Sequence, residues 1–257
     1  TATTDLNPAD PGIPTVLLIN QDSNTTFAGD IKDVFGAGNG KSRLSLIKAG
    51  SGILSLTSAD SFYRGTTTIV GGAISVNYLG LYGDGSGGIG SGDYNDIPNS
   101  AMSLLMSAGT SLIYAGTTPS ITDRSFTMGT GSEGAAIYAN GTIIGASVNF
   151  MEYFIGGEHV EFDPPDVGAT LTLGGRNTGN NTFGLKLTDN GTGYLSLVKT
   201  GPGTWILDNL NNSNSYSGST TIYDGRLVIT GDGALGTRGD SGPPVQLLGG
   251  VLDLRNV

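Results

Sequence analysis

Leu195-Ser196-Leu197-Val198-Lys199-Thr200-Gly201-Pro202-Gly203-Thr204-Trp205-Ile206-Leu207 decides the fold, because the chain carries a near copy of it at Leu44-Ser45-Leu46-Ile47-Lys48-Ala49-Gly50-Ser51-Gly52-Ile53-Leu54-Ser55-Leu56. A second pair follows at similar spacing, Tyr63-Arg64-Gly65-Thr66-Thr67-Thr68-Ile69 and Tyr216-Ser217-Gly218-Ser219-Thr220-Thr221-Ile222. Within each copy apolar and polar residues alternate, the period of a half-buried strand, and Gly breaks the runs where the chain must turn. Long-range repetition in a Gly- and Thr-rich chain points to a solenoid made by stacking like units.

Working outward, Asn24-Thr25-Thr26-Phe27-Ala28-Gly29 resembles Asn180-Asn181-Thr182-Phe183-Gly184, and Gly88-Ile89-Gly90 echoes the end of Gly231-Asp232-Gly233-Ala234-Leu235-Gly236. Residues 15–116 and 171–257 therefore read as two copies, and 117–170 has no partner within the chain. Residues 1–14, with Pro8, Pro11 and Pro14, read as an extended tail. Short strands between turn signals suit a sandwich, a barrel or a β-helix; the repeat favours one continuous β-solenoid over 15–257. At roughly 20–25 residues per coil and about 4.8 Å per step, that gives about 10–12 coils and a rod of about 50 Å. Leu44, Leu46, Leu54 and Leu56, with Leu195, Leu197, Trp205 and Leu207, are the expected core.

Composition narrows the function. The 257 residues include 44 Gly and no Cys, 13% are charged, and the formal net charge is −10. No basic patch exists to release counterions from nucleic acid, and thiolate and disulfide chemistry are excluded. No apolar run approaches the length of a membrane helix, so no membrane insertion by this segment is expected. The chain begins at Thr1 without a signal peptide, which reads as a mature or excised piece of a longer precursor.

Leu-x-Lys-x-Gly-x-Gly-x-x-x-Leu over 197–207, Tyr-x-Gly-x-Thr-x-Ile-x-x-Gly over 216–225 and Gly-Asp-Gly-Ala-Leu-Gly over 231–236 resemble the passenger-associated β-strand repeat of bacterial autotransporters. The first copy departs from it at 84–90, where Ser and Gly are inserted. The resemblance implies an all-β, right-handed parallel β-helix with loop excursions, export across the envelope, and an extracellular or cell-surface location. It also implies a scaffold role: a stiff rod or fibre-forming subunit. The family's C-terminal membrane barrel has no counterpart in this sequence.

Against that scaffold stand several candidate sites. Glu158, His159, Glu161 and Asp163 cluster closely enough to ligate a metal. Glu158 and His159 would face opposite ways on a regular strand, and a solvated acidic loop is the plainer reading. No cofactor is expected; calcium is the metal such oxygens, or those of Asp84, Asp93 and Asp96, would take. Phe150, Tyr153 and Phe154 form the most aromatic run and offer a glycan- or partner-binding surface, with burial as core the competing reading. Arg238-Gly239-Asp240 is read as a chance match.

An enzyme needs more. The sole His159 would have to serve any Ser-His-Asp arrangement, and no carboxylate pair falls on an expected strand. Three readings follow in order: structural module, adhesin acting through loops around 150–166, and polysaccharide-active β-helix enzyme. The expected partners are a continuation of the same solenoid or another copy stacked end to end, and glycans in the adhesin reading.

Overall fold

The computed structural model describes residues 15–33, 43–82, 87–92, 103–151, 160–208, 214–237 and 244–255. They form 21 strands and no α-helix. Every pairing between named strands is parallel, and the strands lie in three sheets. Sheet I contains β1 (Thr15–Asn20), β3 (Leu44–Ala49), β5 (Thr67–Ile69), β7 (Leu104–Met106), β10 (Thr127–Gly129) and β13 (Glu161–Asp163), in that order. Sheet II contains β2 (Thr25–Phe27), β4 (Ile53–Leu56), β6 (Ala73–Val76), β8 (Thr110–Tyr114), β11 (Gly131–Ala139), β14 (Ala169–Gly174), β16 (Leu195–Lys199), β18 (Thr220–Ile222) and β20 (Val245–Leu247). Sheet III contains β9 (Ser120–Thr122), β12 (Val148–Phe150), β15 (Asn181–Phe183), β17 (Thr204–Leu207), β19 (Arg226–Ile229) and β21 (Val251–Leu254).

Three parallel sheets whose neighbours come from successive passes of the chain make a parallel β-helix. Sheet II alone runs through all of it, and its nine strands count nine tiers, about 40 Å at the usual strand spacing. That is fewer than the ten to twelve the sequence suggests, because tier lengths are uneven. Leu46 pairs with Thr67, 21 residues on, but Ile69 pairs with Met106 and Ile137 with Leu173, 37 and 36 residues on. Long connections consume chain without adding tiers.

The two sequence copies do not occupy the same faces. β3 and β4 place the first copy across the corner between sheets I and II. β16 and β17 place the second across the corner between sheets II and III. One motif therefore builds either corner, and the solenoid has advanced by one face between copies. Residues 104–183 make the change. Their three tiers (β7–β9, β10–β12, β13–β15) carry strands on all three faces, whereas the tiers around the motif carry two strands among the described residues. The segment without a partner in sequence lies in this transition.

The core is a narrow column of inward side chains. Leu46, Leu54, Leu56, Leu195, Leu197, Trp205 and Leu207 are buried as expected, and Leu44 packs against the core partly buried. Aromatic residues fill the later tiers. Phe126, Phe150, Phe183 and Trp205 form a continuous ladder with successive ring centroids 6.5, 5.6 and 6.5 Å apart, the spacing of favourable edge and offset contacts.

Candidate functional site

The recurring unit is a corner held by polar side chains that point inward. Lys48 and Lys199 are completely buried. Lys48 Nζ donates to the carbonyls of Ala49, Gly50 and Gly71 at 2.7, 2.8 and 3.2 Å. Lys199 Nζ donates to those of Thr200, Gly201 and Asp224 at 2.8, 2.6 and 3.0 Å. Three donors meet three carbonyls at the turn, two from the same tier and one from the next. Desolvation pushes the Lys199 ammonium down to about 8, and that of Lys48 in the same direction. Gly50 and Gly201 complete the corner with φ of 75° and 68°. A Cβ at Gly50 would lie 2.3 Å from the Gln21 carbonyl oxygen, so the backbone stacking excludes any larger residue.

A carboxylate ties each copy to the tier beyond. Asp33 accepts the N–H groups of Leu44 and Arg64, both at 2.8 Å, and Arg64 Nε at 3.1 Å. Asp189 accepts those of Leu195 and Ser217 at 2.9 and 3.0 Å, and the Ser217 hydroxyl at 2.5 Å. The motif Tyr works similarly. The Tyr63 hydroxyl lies 2.6 Å from Thr67 Oγ1, and that of Tyr216 lies 2.7 Å from Thr220 Oγ1, both within the core. Burial raises the Tyr63 phenol well above its ordinary range. Sequence reasoning assigned the glycines but missed these Lys and Asp roles. The recurrence of Lys at one position of both copies was the available signal for the first; Asp33 and Asp189 sit before loops of unequal length, which hid their equivalence.

Three further buried polar side chains were also missed. Arg124 is buried, with Nη2 donating to the Gly90 carbonyl and its guanidinium 5.7 Å from the Tyr82 ring centroid. Desolvation lowers its pKa to about 10. Asn177 and Asn181 lie inside sheet III's margin. Asn177 Nδ2 donates to the carbonyls of Gly141, Ile143 and Ala146, pinning a turn that presents Ile143 and Ile144 to solvent.

The sequence-derived candidates separate. Phe150 is a core residue, 1% exposed, which removes it from any binding surface: inward orientation on β12 stacks it between Phe126 and Phe183. Tyr153, Phe154, Glu158 and His159 lie outside the described residues, as do Asp84, Asp93, Asp96 and Arg238-Gly239-Asp240. Glu161 and Asp163 are exposed and two apart on β13, hence on one outward face, while Phe162 between them packs on the core. A same-face carboxylate pair on a strand is thus present where the sequence suggested only loops. No cluster of three or more His, Asp or Glu side chains suited to a metal occurs among the described residues.

The corner module has a counterpart in known proteins. The passenger-associated transport repeat matches residues 46–76 and 197–229, the two corners just described. A protein of Brucella suis biovar 1 (strain 1330), described as the adhesin BmaC autotransporter, is 37% identical over 196 residues, or 76% of this chain. The chain is of the autotransporter passenger type. It spans 5% of the adhesin's length. No solved structure matches it. In this passenger the repeat is a corner-building unit: its Lys caps the turn, its glycines allow the backbones to stack, and its Tyr–Thr pair closes the core.

Proposed function

We propose that the chain is a length-bearing structural section of an exported bacterial surface passenger, a stiff rod rather than a catalyst. The observation that carries this reading is sheet II, whose nine parallel strands continue through both motif copies and through the change of phase between them. Such a stack transmits load through backbone ladders, and each added tier extends it by one strand spacing. The similarity to a passenger supports an extracellular location, and the relative's far greater length supports continuation of the solenoid in a longer chain.

Two measurements test it. Small-angle scattering of the chain should return an elongated particle with a long axis near the stacking height; a compact or expanded profile would reject the rod. An epitope inserted between Ile143 and Ile144, in the parent passenger, should be stained on intact cells; staining only after permeabilisation would reject the location.

The second reading is adhesion, favoured by the relative's description as an adhesin. In this reading the connection from 152 to 159, between β12 and β13, carries the contact with glycan or a neighbouring surface.

A further inference from the structure

Sheet II differs from the other faces in what borders it. All six connections entering it from sheet I, and all six leaving it for sheet III, are turns of one to eight residues. The longer connections are β2–β3, β4–β5, β6–β7, β12–β13, β15–β16, β17–β18 and β19–β20. Wherever sheet I or sheet III supplies a strand to a tier, a short turn therefore joins it to sheet II.

Its chemistry is equally uniform. Ser111, Ala136, Thr172 and Val198, all half-buried, follow one another in register on its outward side, and Thr221, which is buried, continues the column. The only charged side chains in its nine strands are Glu133, at the bulge on one margin, and Lys199, which points inward. The one large ring on this face, Tyr138, lies down rather than standing: a Cβ at Gly174 would come within 2.5 Å of its Cε1. A chain of net charge −10 thus keeps one long flat face without carboxylate columns.

We propose that this face is a homotypic contact surface, on which a second copy of the chain packs side by side, sheet II against sheet II. Neutrality selects the partner, since two acidic rods repel wherever their carboxylates meet, and here they do not. Hydroxyl groups both donate and accept, so identical Ser/Thr columns can satisfy one another across a two-fold axis, which fixed charges of one sign cannot. Nine strands about 40 Å high and about 12 Å wide offer roughly 500 Å² per copy, about 1,000 Å² in the pair. That is the lower bound of a specific interface, so this section dimerises weakly, and a longer run of tiers sums many such contacts. The inference rests on the fold alone and stands whether or not the rod is an adhesin.

Sedimentation velocity of the intact chain from about 1 µM to about 1 mM tests it, within the concentration range a weak interface requires. A reversible dimer that added salt does not weaken is expected, with scattering at the upper concentrations showing a thicker particle of unchanged length. Ser75→Glu with Thr172→Glu, both outward on sheet II, should weaken it at least about tenfold. Asn149→Glu with Thr182→Glu, outward on sheet III, should leave it unchanged, and melting curves verify that both variants fold. A chain monomeric throughout, a dimer of doubled length, or equal weakening by both pairs overturns the proposal.

Discussion

Trp205 Nε1 donates to the carbonyl oxygen of Gly174 at 2.8 Å, across a tier boundary and inside the core. The indole is fully buried, yet its one polar atom is satisfied. Its counterpart in the first copy, Leu54, fills the same position without a donor. Trp205→Ala should cost about 3–5 kcal/mol, as truncation of a packed aromatic does, and Trp205→Phe should cost less but leave the Gly174 carbonyl unpaired. Denaturant melts measure both, and the wild-type indole should emit at the short wavelength of a buried ring.

Lys199 predicts the sign of an alkaline pH dependence. Its folded pKa, near 8, lies below the ordinary 10.5, so between those values the unfolded chain holds a proton that the folded chain has released. Stability should therefore rise with pH across that window, with Lys48 contributing in the same direction. Above pH about 10 the buried phenols of Tyr63 and Tyr114, which ionise more readily when unfolded, oppose the rise, while Arg124, held below its ordinary value by burial, continues it. Unfolding free energies at half-unit steps from about pH 7.5 to about pH 10 should rise. Lys199→Met should flatten the rising limb.

The same substitution should lower stability at neutral pH. Methionine fills the volume but leaves the Thr200, Gly201 and Asp224 carbonyls without their donor, at about 1–3 kcal/mol per buried group left unsatisfied. Thermal melts at pH about 7, below the window that the ordinary lysine pKa defines, isolate this effect from titration.

Asp189→Ala should cost about 2–3 kcal/mol, since the amides of Leu195 and Ser217 both lose their acceptor. Asp189→Asn, which keeps an oxygen, should cost less. Hydrogen exchange at those two amides should speed up in the alanine variant while the amides of β4 keep their protection; uniform acceleration along the chain would mean that the clamp has no local role.

Deleting 152–159 discriminates scaffold from adhesin. A broader cut over 150–166 would remove Phe150 from the core and all of β13, so loss of binding after it would only report unfolding. The shorter deletion should leave the melting temperature within a few degrees. Glycan-array binding by the intact chain that disappears in the deletion supports adhesion through this connection, and binding that survives moves the contact elsewhere.

The strand pattern, the stacked core and the glycine corners were legible because alternation and repetition are local signals. Leu46 and Leu197 announce their burial by position alone. Phe150 was ambiguous, since a single aromatic at the end of a short strand says nothing about which face it takes until Phe126 and Phe183 are brought beside it. Lys48 and Lys199 ran against the usual rule that lysine faces water, and only the stacking of Gly71 or Asp224 from the next tier creates their third acceptor. The change of faces between copies was invisible for a similar reason: a motif that builds either corner carries no record of which corner it builds.

That indifference sets the direction in which loops point. Before the three fully stranded tiers, the long connections β2–β3 and β6–β7 leave from the side that sheet III later occupies. After them, β17–β18 and β19–β20 leave from the side that sheet I has vacated. The rod thus behaves like a camshaft: a short block of all-strand tiers resets the azimuth of everything mounted beyond it. A passenger made of such blocks can aim successive loops around its circumference without bending its axis, and the angle is written in the number of strands per tier rather than in the loops themselves.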